Sequence, residues 1–270
     1  IEDTLLVLSY GVLKDTSDVR RFASVEAFIP KLVKVLRVPN SFQYKFDRLN
    51  PISIQYQADS IFRVLTWQLF VDDNYYRYYG DIQMNSRELK LFPLVDRSFE
   101  IEKPMEQELT NNNWYGALCY RIKQFDTPQG RKYLLFGYDM HSLFRRSKVL
   151  DVLSFQEGKP VFGAPVFYSE HPTYRHQLHR VIVEYTAEAT VTLNYDVGLE
   201  MVVFDHLIEI EGKHGEGLVN VPDGSYEGYK LVNGRWEYIP KVFDQISEEP
   251  PRPSPVLEDD SKSLYKSGKQ

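Results

Sequence analysis

Apolar residues in the first forty positions recur at spacings of three and four. One stripe runs from Leu5 to Leu13, and a second runs from Val19 to Leu36. Because one turn of an α-helix takes about 3.6 residues, this pattern predicts two amphipathic helices. Pro30 lies inside the second helix and is expected to kink or divide it. The helices could bind a partner, but we expect them to pack on their own domain.

From about residue 52 the apolar positions alternate, with the period of two that is typical of β-strands. Clusters of turn residues separate the alternating runs, so the pattern predicts a series of hairpins. The strongest signal is Asn233-Gly234, which favours a type I′ turn because both residue types tolerate a positive φ. The predicted hairpins cover residues 61–82, 114–140, 149–168 and 226–242.

Two long runs carry further information about the sheets. In the run Arg180–Asn194, every second position is apolar and the positions between them are polar, with the single exception of Ile182. This pattern predicts a strand with one face on a core and the other in water. Such a strand would be unusually long, so we expect a bend or bulge near Ala187–Ala189. Leu199–Ile210 is apolar on both parities, which predicts a central strand that is covered on both faces.

These elements predict a mainly β fold built as an antiparallel meander, either a two-layer sandwich or an open curved barrel. A strand–helix–strand rhythm is missing, which argues against a doubly wound fold. A propeller remains an alternative, although no fixed repeat is visible. The predicted organisation is an N-terminal helical segment at 1–40 packed on the sheet, an antiparallel β domain at 41–246 and a Pro-rich, polar, disordered tail at 247–270.

Charge and cysteine content restrict the possible partners. The chain of 270 residues has 38 acidic and 32 basic residues, a net charge of −6, and its densest basic cluster is too small for a nucleic-acid footprint. The sequence contains no run of about 18 apolar residues, so it predicts no transmembrane segment. Cys119 is the single cysteine and lies in an apolar run, where a buried side chain is expected rather than a nucleophile. The chain begins at Ile1 rather than at a methionine. We therefore expect that residues have been removed, as a signal peptide, as a tag or by trimming of the terminus.

Candidate chemistry is concentrated in one acidic and histidine-containing stretch near residues 205–223. Nucleotide-binding, zinc-protease and nucleophile-elbow motifs are missing from the sequence. Imidazole and carboxylate groups could support acid–base or metal chemistry, although strand parity places His206 on the opposite side from Asp205 and Glu209. A polar strand end followed by a glycine-rich turn is the alternative, and we assign no metal or cofactor. The catalytic candidates are Asp205, His206, Glu209, His214 and Asp223.

Two further groups of side chains are candidates. His171, His176 and His179 could bind a metal if their segment were helical, but a polar loop with solvated histidines is expected. Flat aromatic rings on the predicted hairpin at 61–82 could stack on a sugar or a peptide, with cross-strand packing as the alternative. The ligand-binding candidates are Trp67, Tyr75, Tyr76, Tyr78 and Tyr79.

Four segments of the chain resemble an uncharacterised group of exported proteins from Bacteroidetes, for which no activity, ligand or catalytic residue is established. The resemblance covers most of the chain, and it implies a bacterial and exported origin. The segments are Asn-Ser-Phe-Gln-Tyr at 40–44, Arg-Tyr-Tyr-Gly-Asp-Ile-Gln-Met-Asn at 77–85, Leu-Phe-Gly-Tyr-Asp at 135–139 and Gly-Leu-Val-Asn-Val-Pro-Asp-Gly-Ser-Tyr-Glu-Gly-Tyr at 217–229.

Together these observations favour a non-catalytic, exported, β-rich protein that binds or scaffolds a protein or carbohydrate ligand at the cell envelope. The expected location is the periplasm or the cell surface, and the residues also allow a cytoplasmic one. The alternative function is a hydrolase, with or without the assistance of a metal, that uses the region from Asp205 to Asp223.

Overall fold

The computed structural model describes residues 2–142, 144–170, 176–212, 215 and 217–243, and the chain begins with two helices. Helix α1 spans Glu2–Lys14 and helix α2 spans Asp18–Leu36, as the apolar spacing predicts. Pro30 does not divide α2. The helices pack closely, because a Cβ atom added at Gly11 would lie 2.5 Å from Ser24 Oγ.

Sheet 1 follows the helices and is a simple antiparallel meander. Its strands pair in chain order, and the β2–β3 hairpin matches the predicted hairpin at 61–82. The four strands are β1 (Ser53–Tyr56), β2 (Phe62–Asp72), β3 (Tyr75–Met84) and β4 (Leu91–Val95).

Sheet 2 contains the two central predicted hairpins. The order of its strands is β5-β9-β8-β7-β6, and all of these neighbours are antiparallel. The strands are β5 (Leu109–Thr110), β6 (Leu118–Thr127), β7 (Gly130–Asp139), β8 (Arg145–Gln156) and β9 (Lys159–Phe162).

Sheet 3 is formed mainly by the C-terminal part of the described chain. Its order is β11-β10-β16-β15-β14-β13, in which only the β10–β16 pair is parallel among the described strands. The strand β12 belongs instead to sheet 2, where it pairs with the first half of β8. The remaining strands are β10 (Phe167–Ser169), β11 (His176–Leu178), β12 (Val181–Thr186), β13 (Leu193–Asp196), β14 (Met201–Glu211), β15 (Leu218–Val232) and β16 (Arg235–Ile239).

Three apolar cores show that the helices and sheets are stacked as four layers. In β2, Leu65 packs into the core beneath the helices, whereas its neighbour Val64 packs into the core between sheets 1 and 2. In β7, Leu135 joins that second core, and Leu134 joins the core between sheets 2 and 3. Adjacent residues of a strand point to opposite faces, so sheets 1 and 2 are each buried on both sides.

The mainly β, antiparallel fold with N-terminal helices is therefore confirmed, but the stack has three sheets rather than the two layers of a sandwich. The run Arg180–Asn194 shows one reason for the difference. It is interrupted at residues 187–192, which include the expected bend at Ala187–Ala189, and its halves β12 and β13 belong to sheets 2 and 3. Both halves place their apolar residues in the same core between these sheets, so a crossover looks like one continuous strand in the sequence.

The strand β14 also differs from its prediction. Val202 and Phe204 are buried, but Ile208 and Ile210 are exposed. The neighbouring strand β13 pairs only with residues 201–204, and the rest of β14 continues beside β15 as a two-stranded arm. The apolar residues of the outer half therefore do not indicate burial on both faces.

The predicted Asn233-Gly234 hairpin is confirmed as the connection between β15 and β16. Both residues have positive φ angles, 50° and 80°, as a type I′ turn requires. None of the helices in the described ranges is long and apolar enough to cross a membrane. The predicted tail at 247–270 lies outside the described residues.

Candidate functional site

An irregularity in the β14–β15 ladder brings together two of the five catalytic candidates. Asp205 pairs with Tyr226 and Leu207 pairs with Pro222, so three residues of β15 lie opposite His206 alone. The extra length forms a bulge, and His206 Nδ1 lies 3.0 Å from Asp223 Oδ2. The two side chains are 37% and 30% exposed, so the pair is accessible to solvent.

The carboxylate of Asp223 is held in a defined orientation. Its Oδ1 accepts hydrogen bonds from the backbone N–H and the hydroxyl of Ser225, at 2.8 and 2.7 Å. Partial burial opposes ionisation, but the hydrogen bonds from Ser225 and His206 lower the pKa of Asp223. An ionised Asp223 orients the imidazole through Nδ1 and leaves Nε2 directed away from the pair.

A second carboxyl group, Glu227, lies near this pair and was missed by the sequence analysis. It pairs with Phe204, whose side chain faces the core, and it accepts a hydrogen bond from the Tyr238 hydroxyl. Burial raises the pKa of Glu227, although Tyr238 and the charge of His206 oppose the shift. The register set by the Asn233-Gly234 turn places Tyr238 opposite Tyr229. Glu227 precedes Tyr229 by two residues and so lies on the same face of β15. This register was therefore the signal that could have placed Glu227 near Tyr238.

The other catalytic candidates are separate from this pair. Asp205 is buried and accepts hydrogen bonds from the Thr192 N–H and hydroxyl, at 2.6 and 2.7 Å. Glu209 is exposed on the outer half of β14, and His214 lies outside the described residues. Within the described ranges, no three histidine, cysteine or acidic side chains converge as a metal site.

Only two members of the second histidine group lie within the described residues. His176 lies on β11, and its Nε2 is 3.1 Å from the Tyr229 hydroxyl. His179 lies between β11 and β12, where burial lowers its pKa. His171 falls outside the described residues, so the proposed grouping of three stays a prediction.

The aromatic candidates on β2 and β3 pack against other elements. Trp67 is buried beneath the helices, where Tyr79 stacks on it with ring centroids 5.8 Å apart. Tyr78 is buried between sheets 1 and 2, and its hydroxyl accepts a hydrogen bond from Met140 N. Tyr76 and Tyr75 are half-buried against Phe rings of neighbouring segments. These contacts correspond to the cross-strand packing alternative.

The single cysteine is buried between sheets 1 and 2, as expected for Cys119. Burial raises the pKa of its thiol to about 12. The thiol is therefore protonated at neutral pH and is a poor nucleophile.

An open groove with a volume of about 740 Å³ lies at the C-terminal end of α2. Val35, Val38 and Phe46 contribute apolar surface to it, and the charged residues of its rim bond to one another. Glu2 accepts hydrogen bonds from the Tyr44 hydroxyl and Arg48 N, and Asp3 forms an ion pair with the Arg48 guanidinium. The remaining lining residues are Pro39, Asn40, Ser41 and Gln43.

The completely buried Arg63 holds the wall of this groove from behind. Its guanidinium donates hydrogen bonds to Tyr44 O at 2.7 Å and to Ser41 O at 3.2 Å. It also lies 5.1 Å from the centre of the Phe46 ring and 2.8 Å from Gln83 Oε1 of β3. The segment that lines the groove is thereby attached to sheet 1. No protein family, curated protein or solved structure matches this chain.

Proposed function

We propose that this chain is a non-catalytic, β-rich binding protein of the bacterial cell envelope and that the groove beside α2 receives its ligand. The groove carries the proposal because its volume of about 740 Å³ lies in the usual range for ligand sites. The exported location is supported by the four segments that resemble exported Bacteroidetes proteins.

The ligand that fits this groove best is an apolar peptide segment of a partner protein. Carbohydrate recognition requires polar groups that are free to hydrogen-bond. Both oxygens of the Glu2 carboxylate are already engaged by Tyr44 and Arg48, and Asp3 is paired with Arg48. The surface left to cover is mostly apolar, and an open groove accommodates a chain that enters and leaves it.

The groove is also preorganised for binding. Arg63 fixes the carbonyl groups of Ser41 and Tyr44, and the Ser41 hydroxyl donates to Leu36 O at 2.6 Å. A wall that is ordered before the ligand arrives reduces the conformational entropy lost on binding.

Substitution of one exposed valine in the groove tests the proposal. Val38 is 57% exposed and lines the groove, whereas Val19 is 73% exposed on α2 and does not. We expect the neutral apolar dye Nile red to bind the parent protein and Val19→Glu saturably. Val38→Glu should weaken this binding at least about fivefold, because a charge in the groove must lose water when the dye binds. Equal binding by all three proteins would contradict the proposed site.

The location is tested separately in the producing bacterium. Fractionation of the cells should recover the protein in the periplasmic fraction or at the surface. Recovery in the cytoplasmic fraction would overturn the envelope assignment and leave the groove unaffected.

A hydrolase is the second candidate function, and the contact between His206 and Asp223 favours it. With Nδ1 directed at Asp223, His206 Nε2 could accept a proton from water, and Glu227, whose pKa burial raises, could donate one. The Ser225 hydroxyl donates to Asp223 rather than to the imidazole, so the nucleophile would be water.

The two functions are distinguished with chromogenic esters and glycosides. His141 is a matched control because it also lies beside a carboxylate, that of Asp139, 3.8 Å away. Turnover that is lost in His206→Gln and kept in His141→Gln would establish the hydrolase and overturn the non-catalytic assignment. The binding proposal expects no turnover by the parent protein or either variant.

A further inference from the structure

Two half-buried cations on sheet 2 have no carboxylate partner among the residues that the structure describes. Arg146 and Lys148 lie two residues apart on β8, on the face that is directed toward sheet 3. In the described part of the chain, neither forms an ion pair with a carboxylate. The adjacent Arg145 differs, because its guanidinium pairs with Glu184 at 3.1 Å. Among the three basic residues of β8, the missing counter-charge is therefore confined to Arg146 and Lys148.

Tyrosine rings surround these two cations. Lys148 Nζ lies 5.1 Å from the centre of the Tyr120 ring and 4.8 Å from that of Tyr138. Arg146 pairs across the strands with Tyr185, which is buried. The rings of Tyr120 and Tyr138 stabilise the Lys148 ammonium group through their π faces, but they do not neutralise its charge.

The donor groups of the cluster are also incompletely used. Arg146 Nε is buried and has no hydrogen-bond partner within the described ranges. Burial without an acidic partner lowers the pKa of the Lys148 ammonium group. Burying cations is unfavourable unless they are paired or hydrogen-bonded, so this arrangement is suited to an anion that is bound from outside the chain.

The number and geometry of the charges indicate the class of anion. A phosphate monoester carries a charge between about −1.5 and −2 at neutral pH, which matches two cations, whereas a carboxylate carries only one negative charge. The planar guanidinium group suits the oxygens of a phosphate, and a lysine adds a point charge. We propose that Arg146 and Lys148 form a binding site for the phosphate group of a small phosphate monoester.

Calorimetric titration at low salt and pH 8 tests this site with three defined probes. Inorganic phosphate measures the contribution of the phosphate group, and phenyl phosphate and glucose 6-phosphate distinguish an aromatic from a sugar carrier. We expect at least one monoester to bind in a salt-dependent manner and more tightly than inorganic phosphate. Failure of both monoesters to bind, or equal affinity for benzoate, would overturn the proposal.

Three substitutions locate the binding. Arg146→Gln and Lys148→Met should each weaken monoester binding at least about tenfold, because each removes a charged hydrogen-bond donor. The control Arg145→Gln should change it less than about twofold. Equal losses in all three variants would indicate a general charge effect and would overturn the site.

A conservative variant and a change of pH keep the test valid if Lys148→Met does not fold. Lys148→Arg preserves the charge and should retain binding. Lowering the pH to 5 protonates the phosphate, whose second pKa is about 6, and should weaken binding to the parent protein. Binding that is unchanged at pH 5 would contradict recognition of the dianion.

Discussion

Two arginines are completely buried in the described part of this chain, and each attaches a loop to a sheet. Arg63 donates hydrogen bonds to Ser41 O and Tyr44 O and so holds the segment after α2 against sheet 1. Arg180 donates to Pro104 O, and its Nε lies 3.1 Å from Asp151 Oδ2 in sheet 2. Removing either guanidinium would leave buried acceptors without partners, so these long polar side chains determine the path of otherwise irregular segments.

The buried carboxyl group of Asp81 should make stability depend on pH. It lies on β3 opposite Leu65, and burial raises its pKa to about 7. An unfolded Asp has a pKa of about 3.9, so between about pH 4 and 7 the folded protein holds a proton that the unfolded chain has lost. The contribution of Asp81 to the free energy of unfolding therefore falls as the pH rises through this range and stays low above it.

We expect Asp81→Asn to raise the free energy of unfolding at pH 8 by about 2–4 kcal/mol, because the amide cannot ionise. At pH 4 the two proteins should be nearly equally stable. Urea denaturation at both values measures the difference, and the exposed Asp73→Asn in the β2–β3 turn is the control. An equal effect of Asp81→Asn at pH 4 and pH 8 would show that the carboxyl group titrates normally.

At the same scale, sequence reasoning identified His206 and Asp223 as candidates but gave no reason for them to meet. Strict alternation assigns positions to faces only while the ladder is regular. The bulge at residues 223–225 changes the register and brings Asp223 to His206. A bulge depends on the partner strand as well as on its own residues, so the pattern of one strand does not predict it.

At the scale of elements, the predictions were best where local chemistry determines the structure. Apolar spacing predicted both helices, and turn residues predicted the β2–β3, β6–β7, β8–β9 and β15–β16 hairpins. The predictions failed where the chain crosses from one sheet to another, as it does between β12 and β13. Val183 of β12 and Leu193 of β13 face the same core from opposite sheets, and they have the same parity in the sequence, so the alternation carries no trace of the crossover.

Two turns with positive φ angles allow backbone strain to be separated from packing. Glu157-Gly158 joins β8 to β9, and Asn233-Gly234 joins β15 to β16. The φ angles of the two glycines are 75° and 80°. A Cβ atom at Gly158 would meet only the flexible end of Lys90 at 3.9 Å, whereas one at Gly234 would lie 2.8 Å from Pro128 Cδ and 2.9 Å from Thr127 Cα.

We therefore expect Gly158→Ala to lower the free energy of unfolding by about 1–2 kcal/mol through strain alone. Gly234→Ala should cost about 1–3 kcal/mol more, because the β6–β7 turn must also move. Chemical denaturation of the two variants beside the parent measures both values. Equal losses would show that the β15–β16 turn does not pack against sheet 2 in solution.

At the scale of the whole molecule, strands that are shared between cores connect the layers. β2 contributes to the cores on both faces of sheet 1, and β7 contributes to those on both faces of sheet 2. The sequence did not predict this stack, because the parallel pair of β10 and β16 joins strands that are far apart in the chain. Such long-range pairing follows from the assembled cores and leaves no local signal.

The three tryptophans allow the cooperativity of this stack to be measured core by core. Trp67 lies beneath the helices, Trp114 between sheets 1 and 2, and Trp236 between sheets 2 and 3. Sheets 1 and 2 each lie between two cores, so separation of a neighbouring layer would expose apolar residues of the sheet to water. We therefore expect the described layers to unfold in a single transition.

In three variants that each retain one tryptophan and carry Phe at the other two positions, fluorescence and far-UV circular dichroism should give the same denaturant midpoint. Comparison within each variant removes the effect of the substitutions on stability. A midpoint for Trp67 fluorescence clearly below that of circular dichroism would show that the helical layer separates first, and sheets 2 and 3 would then be the cooperative unit.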